Sequence, residues 1–73
     1  MNYNQLSYLK ELPFNKPFVI DINGVKYNAD LINVSEEGIL TFRYITKQED
    51  RYIGNYHTIN YLDTGKYEML DYK

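Results

Sequence analysis

The chain has no cysteine, no tryptophan, one histidine, two prolines and four glycines in 73 residues. Without cysteine no disulfide can staple the fold, and a lone histidine leaves no Cys/His metal site. Stability must come from packing, near the lower size limit at which a single core suffices. No apolar run approaches the roughly 20 residues of a membrane helix, and the N-terminus lacks the basic start and continuous apolar segment of a signal peptide. The expectation is one soluble, cytoplasmic domain spanning residues 1–73, with no membrane partner. A large charge of either sign is also lacking: eight Lys and Arg face ten Asp and Glu, for a net charge of -2. That balance gives no bulk attraction to nucleic acid, membrane surfaces or acidic substrates.

What the chain does have is aromatic mass, nine tyrosines and three phenylalanines, which must supply much of any core. Each buried tyrosine also needs a partner for its hydroxyl. Abundant Asn, Lys, Ile and Tyr with few Ala, Gly and Pro resembles the bias of low-GC bacteria and their phages.

The segment Phe18 to Ala29, FVIDINGVKYNA, fixes the local architecture. Asn23-Gly24 suits a type I′ turn, whose two central positions both need positive φ. A two-residue loop sets Ile22 opposite Val25, Asp21 opposite Lys26, Ile20 opposite Tyr27, Val19 opposite Asn28 and Phe18 opposite Ala29. Opposed residues share a face, so Phe18, Ile20, Ile22, Val25, Tyr27 and Ala29 make one apolar side. Asp21 and Lys26 form an opposite-charge pair on the other.

Residues 2–12 read as a short helix with Asn2 as cap and Leu6, Leu9 and Leu12 as its apolar stripe, ended by Pro13. Too short to persist alone, it must dock on an open end or face of the sheet. Pro13 and Pro17 bracket a stiff connector in which Phe14 is expected under the helix. A four-residue turn at Ser35-Glu36-Glu37-Gly38 sets Leu31 opposite Phe42, Asp30 opposite Arg43 and Ala29 opposite Tyr44. Ile32, Val34 and Ile39 then fall on the opposite face, so the long second strand should bend. Strand three is expected over Ile39 to Ile45, followed by a polar loop from Thr46 to Asp50. Strand four starts near Arg51, with a bulge or corner at Gly54. After a turn at Asp63-Thr64-Gly65-Lys66, a last strand runs from Tyr67 to Leu70 or Tyr72. Five short strands at spacings of about 8–12 residues indicate a mainly β fold, a small five-stranded antiparallel barrel or curled sheet over residues 17–72.

This order resembles the Sm-like branch of the SH3-like small barrels, a short helix followed by five bent strands. Ile22, Gly24, Tyr27 and Leu31 match that family's first motif, and Gly54-Asn55 with Ile59 and Leu62 is similar to its second. The departures fall on the RNA-contacting positions. Ser35, Glu36, Glu37 and Gly38 stand where the family has Asp and Asn, and Ile53 where it has Arg. The resemblance implies an architecture without the family's RNA binding. Asn33 to Gly38 also resembles the N-x-S-x-x-G turn of PilZ-type cyclic-dinucleotide binders, but the paired arginines that should precede it are missing.

Catalysis needs a nucleophile or acid/base set converging on a pocket. Ser35 lies in an acidic turn, where serine ordinarily closes its own backbone, and His57 sits among aromatics in strand four. The acids Glu36, Glu37, Glu49, Asp50 and Asp63 lack the alternating oxygen ligands of a calcium loop, and no glycine leads into a helix as a phosphate cradle requires. The expectation is a non-enzyme with no cofactor and no metal.

Aromatic and basic side chains cluster in strands three and four: Arg43, Tyr44, Arg51, Tyr52, Tyr56, His57 and Tyr61. Such a strand face serves protein interfaces and single-strand nucleic-acid platforms alike. Opposing Asp30 to Arg43 and Asp21 to Lys26 neutralises the outward face, whereas a phosphate-tracking surface should be positive. The sequence therefore favours protein binding or self-association, with single-stranded RNA or DNA as the alternative and a phage or mobile-element accessory role as context. The last strand, from Tyr67 to Tyr72, is the expected edge for pairing.

Overall fold

A computed structural model describes residues 3–13 and 15–70. Helix α1 (Tyr3–Lys10) precedes strands β1 (Lys16–Ile22), β2 (Val25–Val34), β3 (Ile39–Gln48), β4 (Arg51–Asn60) and β5 (Tyr67–Met69). All pair antiparallel in one sheet of order β4-β3-β2-β1-β5. Four strands form a meander, and β5 returns to the free side of β1. Because β4 and β5 remain the two edges, the sheet is curled and open and does not close into a barrel.

The first hairpin has the register that turn chemistry dictates, from Ile22 opposite Val25 to Phe18 opposite Ala29. Asn23 (φ 53°) and Gly24 (φ 86°) both sit in the left-handed region. Asp21 faces Lys26 in register but forms no ion pair with it; its Oδ1 instead accepts the Gly24 amide at 2.8 Å and secures the turn. In the second hairpin Ser35 Oγ accepts the Ile39 amide at 3.0 Å. Gly38, at φ 86°, is required there twice over, since a Cβ would also overlap the Tyr61 ring.

Further sequence expectations need correction. Leu31, Asp30 and Ala29 face Phe42, Arg43 and Tyr44 as predicted, but a bulge between Leu31 and Asn33 then shifts the register. That extra residue returns Val34 to the core side, opposite Leu40. The polar segment Thr46 to Gln48 is strand, and the loop shrinks to Glu49-Asp50, with Glu49 at φ 58°. Finally, the β3–β4 ladder runs unbroken, so Gly54 makes neither bulge nor corner but pairs regularly with Ile45.

Phe18, Ile20, Leu40 and Phe42 are the most completely buried side chains, each worth roughly 1.5–3 kcal/mol of transfer free energy. Phe18 meets Phe42 edge-on, with centroids 5.3 Å apart. Leu6 and Leu9 of α1 are buried against this cluster and Leu12 is partly so, the docking that a short helix needs. Tyr67 ties three regions together: its hydroxyl donates to the Tyr61 carbonyl at 2.6 Å and accepts from Gln5 Nε2 of α1. The expectations for Asn2, Phe14 and Tyr72 lie outside the described residues.

Candidate interaction surface on β3 and β4

β2 pairs with β3 only from Ala29 to Val34, so β3 beyond Tyr44 has β4 as its sole strand partner. The result is a two-stranded arm leading away from the core. Period-two alternation sorts its side chains, and register pairs Arg43 with Tyr56, Ile45 with Gly54 and Lys47 with Tyr52 on the face turned from the core. Tyr52 is 75% exposed, Tyr56 66% and Ile45 50%. Gly54 contributes no side chain between the two tyrosines, so the arm carries a notch. Ile45 floors it, its Cδ1 3.9 Å from where a Cβ of residue 54 would stand.

The notch has a basic rim. Lys47 Nζ lies 5.7 Å from the Tyr52 ring centroid, within reach of a cation–π interaction. Arg43 is opposite both Tyr56 and Asp30. Among the described residues the one ion pair, Lys10 to Glu36 at 3.5 Å, is remote from the arm and solvated. Arg43, Lys47 and Arg51 are exposed, and no carboxylate among the described residues pairs with them.

The seven residues singled out from sequence do not form one surface. Arg43, Tyr52 and Tyr56 share the notched face. Tyr44, Arg51 and His57 lie on the core side, with Tyr44 half-buried against Tyr27 at a centroid distance of 4.8 Å. His57 is opposite Phe42 and lines a cleft with Asp21, Ile59, Asn60, Asp63 and Lys66. Tyr61 is brought into the core, 8% exposed against Gly38. Ile45, Lys47 and Gly54 complete the notch and were missed; reading Glu49-Asp50 as a two-residue turn would have set Lys47 opposite Tyr52 and revealed them.

Backbone parity adds a second property. A two-residue loop makes Gln48 and Arg51 a hydrogen-bonded pair, and such pairs recur at every second residue. The Tyr61 amide, donating to Gly38 O at 2.9 Å, falls in the same phase. Odd-numbered β4 residues therefore bond to β3, whereas Tyr52, Gly54, Tyr56 and Thr58 turn amide and carbonyl outward at the sheet edge.

Burial raises the Tyr67 hydroxyl above the usual tyrosine value, opposed by the Gln5 hydrogen bond and reinforced by nearby Asp63 and Tyr61. Among the described residues no group of three or more His, Asp or Glu could hold a metal ion, and no helix is long and apolar enough to cross a membrane. No family model, curated protein or solved structure matches the chain.

Proposed function

We propose that this chain is a non-catalytic protein-binding module whose contact surface is the notched face and free edge of the β3–β4 arm. One observation carries the reading: two tyrosines and an isoleucine stand mostly exposed on a regular ladder, where nothing in the fold requires them. Large amphipathic rings around an apolar notch are what protein interfaces concentrate at their centres. A strand edge with free amides supplies the directional half of recognition, as in strand addition.

The test compares wild type with a Tyr52→Ser/Tyr56→Ser double variant, both immobilised, for proteins retained from a cell extract. Partners should be retained by wild type and lost by the variant while its far-UV spectrum is unchanged; partners that stay bound to the variant as they do to wild type defeat the proposal. Single-stranded nucleic acid is the competing reading, favoured by Arg43 and Lys47 beside the rings. Oligonucleotide titration at low and moderate salt separates them, because phosphate binding weakens steeply with salt.

A further inference from the structure

We infer that β4 pairs with β4 of a second copy of this chain, antiparallel about a two-fold axis at Asn55, so that one sheet runs across the dimer. This rests on reading β4 as a contact surface, and it names the occupant.

The two edges of the sheet differ in a telling way. β5 spans only Tyr67–Met69, and a very short edge is one way proteins blunt unwanted pairing. β4 spans ten residues with no proline, no lysine and an unbroken register. Of the usual protections β4 carries only one charge, Arg51 at its first position.

The edge is complementary to itself. Outward-turned residues must pair with outward-turned residues. With the axis at Asn55, Tyr56 comes opposite Gly54 of the other copy and Tyr52 opposite its Thr58. On the notched face each tyrosine meets a small residue, and each Tyr56 ring can cover the other copy's notch. The narrow pairs at 52, 54, 56 and 58 would make about eight backbone hydrogen bonds, two per pair.

Charge agrees with that register. Arg51 is the one formally charged residue of β4. It falls opposite Ile59 of the other copy, on the same side of the sheet. Ile59 lines the cleft that holds Asp21 and Asp63 together with Lys66 and His57. Two carboxylates against one ammonium leave that cleft net acidic, suited to a guanidinium. An unrelated strand would have to bring both the size alternation and the cation.

Sedimentation equilibrium from micromolar to millimolar concentration reads the association directly. Wild type should show a reversible monomer–dimer equilibrium. Thr58→Pro should weaken it by about tenfold or more, because it deletes an outward amide that no internal ladder bond uses. Should proline perturb β4, Asn55→Cys gives an independent reading in a chain without cysteine. Paired across the axis, residues 55 would lie about 4.5 Å apart at Cα, within disulfide range. Under mild oxidation Asn55→Cys should crosslink at least about tenfold faster than Thr64→Cys, in a remote turn. A monomer at all concentrations, a folded Thr58→Pro that associates like wild type, or equal crosslinking rates would each overturn self-pairing. Such a monomer that still loses extract partners on Tyr52→Ser/Tyr56→Ser overturns self-pairing alone; the contact-surface reading falls only if those partners stay bound.

Discussion

Tyr61 and Tyr67 on one side, Tyr52 and Tyr56 on the other, show how one residue type serves two purposes in this molecule. In the body, Tyr61 is buried over Gly38 and Tyr67 hydrogen bonds both to the Tyr61 carbonyl and to Gln5 of α1. In the arm, Tyr52 and Tyr56 are exposed beside a glycine and a basic rim. Body tyrosines are held by the fold. Arm tyrosines are displayed by it.

Substitutions can break this contrast, beginning where the effect should be largest. Phe42→Ala removes a fully buried ring at the centre of the core and should cost about 3–5 kcal/mol in urea-induced unfolding. Gly38→Ala should cost about 2–4 kcal/mol, combining left-handed strain with overlap on the Tyr61 ring. Tyr67→Phe keeps the ring and loses the hydroxyl bonds, and about 1–2 kcal/mol is expected in the same assay. Tyr52→Ser and Tyr56→Ser should each fall within about 0.5 kcal/mol of wild type at dilute concentration. If an arm variant cost as much as Tyr67→Phe, the distinction between held and displayed tyrosines would be lost.

Alkaline pH sharpens the same comparison. The Tyr67 hydroxyl is raised above its unfolded value, chiefly by burial, so the folded state favours its protonated form. That contribution is present below the free tyrosine value of about 10 and is lost as pH rises through the higher folded value. The gap in urea midpoint between wild type and Tyr67→Phe should therefore narrow with increasing pH in that window. A constant gap would mean that Tyr67 ionises as freely in the fold as in the unfolded chain.

The first three strands were legible because independent local signals agree. Asn23-Gly24 chooses a turn whose register matches the alternation of Phe18, Ile20 and Ile22, and the Ser35 to Gly38 turn carries that register into Phe42 and Tyr44. The arm was obscured because Thr46, Lys47 and Gln48 are polar, and polarity alone reads as loop. As an exposed two-stranded ladder with solvent on both faces, this segment does not need the apolar alternation that marks a half-buried strand. Gly54 misled for a related reason. Glycine in a strand often marks a bulge, and only the partner register shows that here it opens a gap between two rings. The true bulge, at Ile32, carries no glycine and follows from fitting Val34 to Leu40. Burial of individual tyrosines depends on contacts distant in sequence, such as Tyr61 with Gly38, which no local pattern encodes.

Residue-resolved amide exchange along β4 in dilute solution tests most directly that this strand is an open edge. The account predicts alternation: slow exchange at Ile53, Asn55, His57 and Ile59, whose amides bond to β3, and fast exchange at Tyr52, Gly54, Tyr56 and Thr58. Equal protection of both sets in the monomer would contradict it, because some other part of the chain would then already occupy the edge.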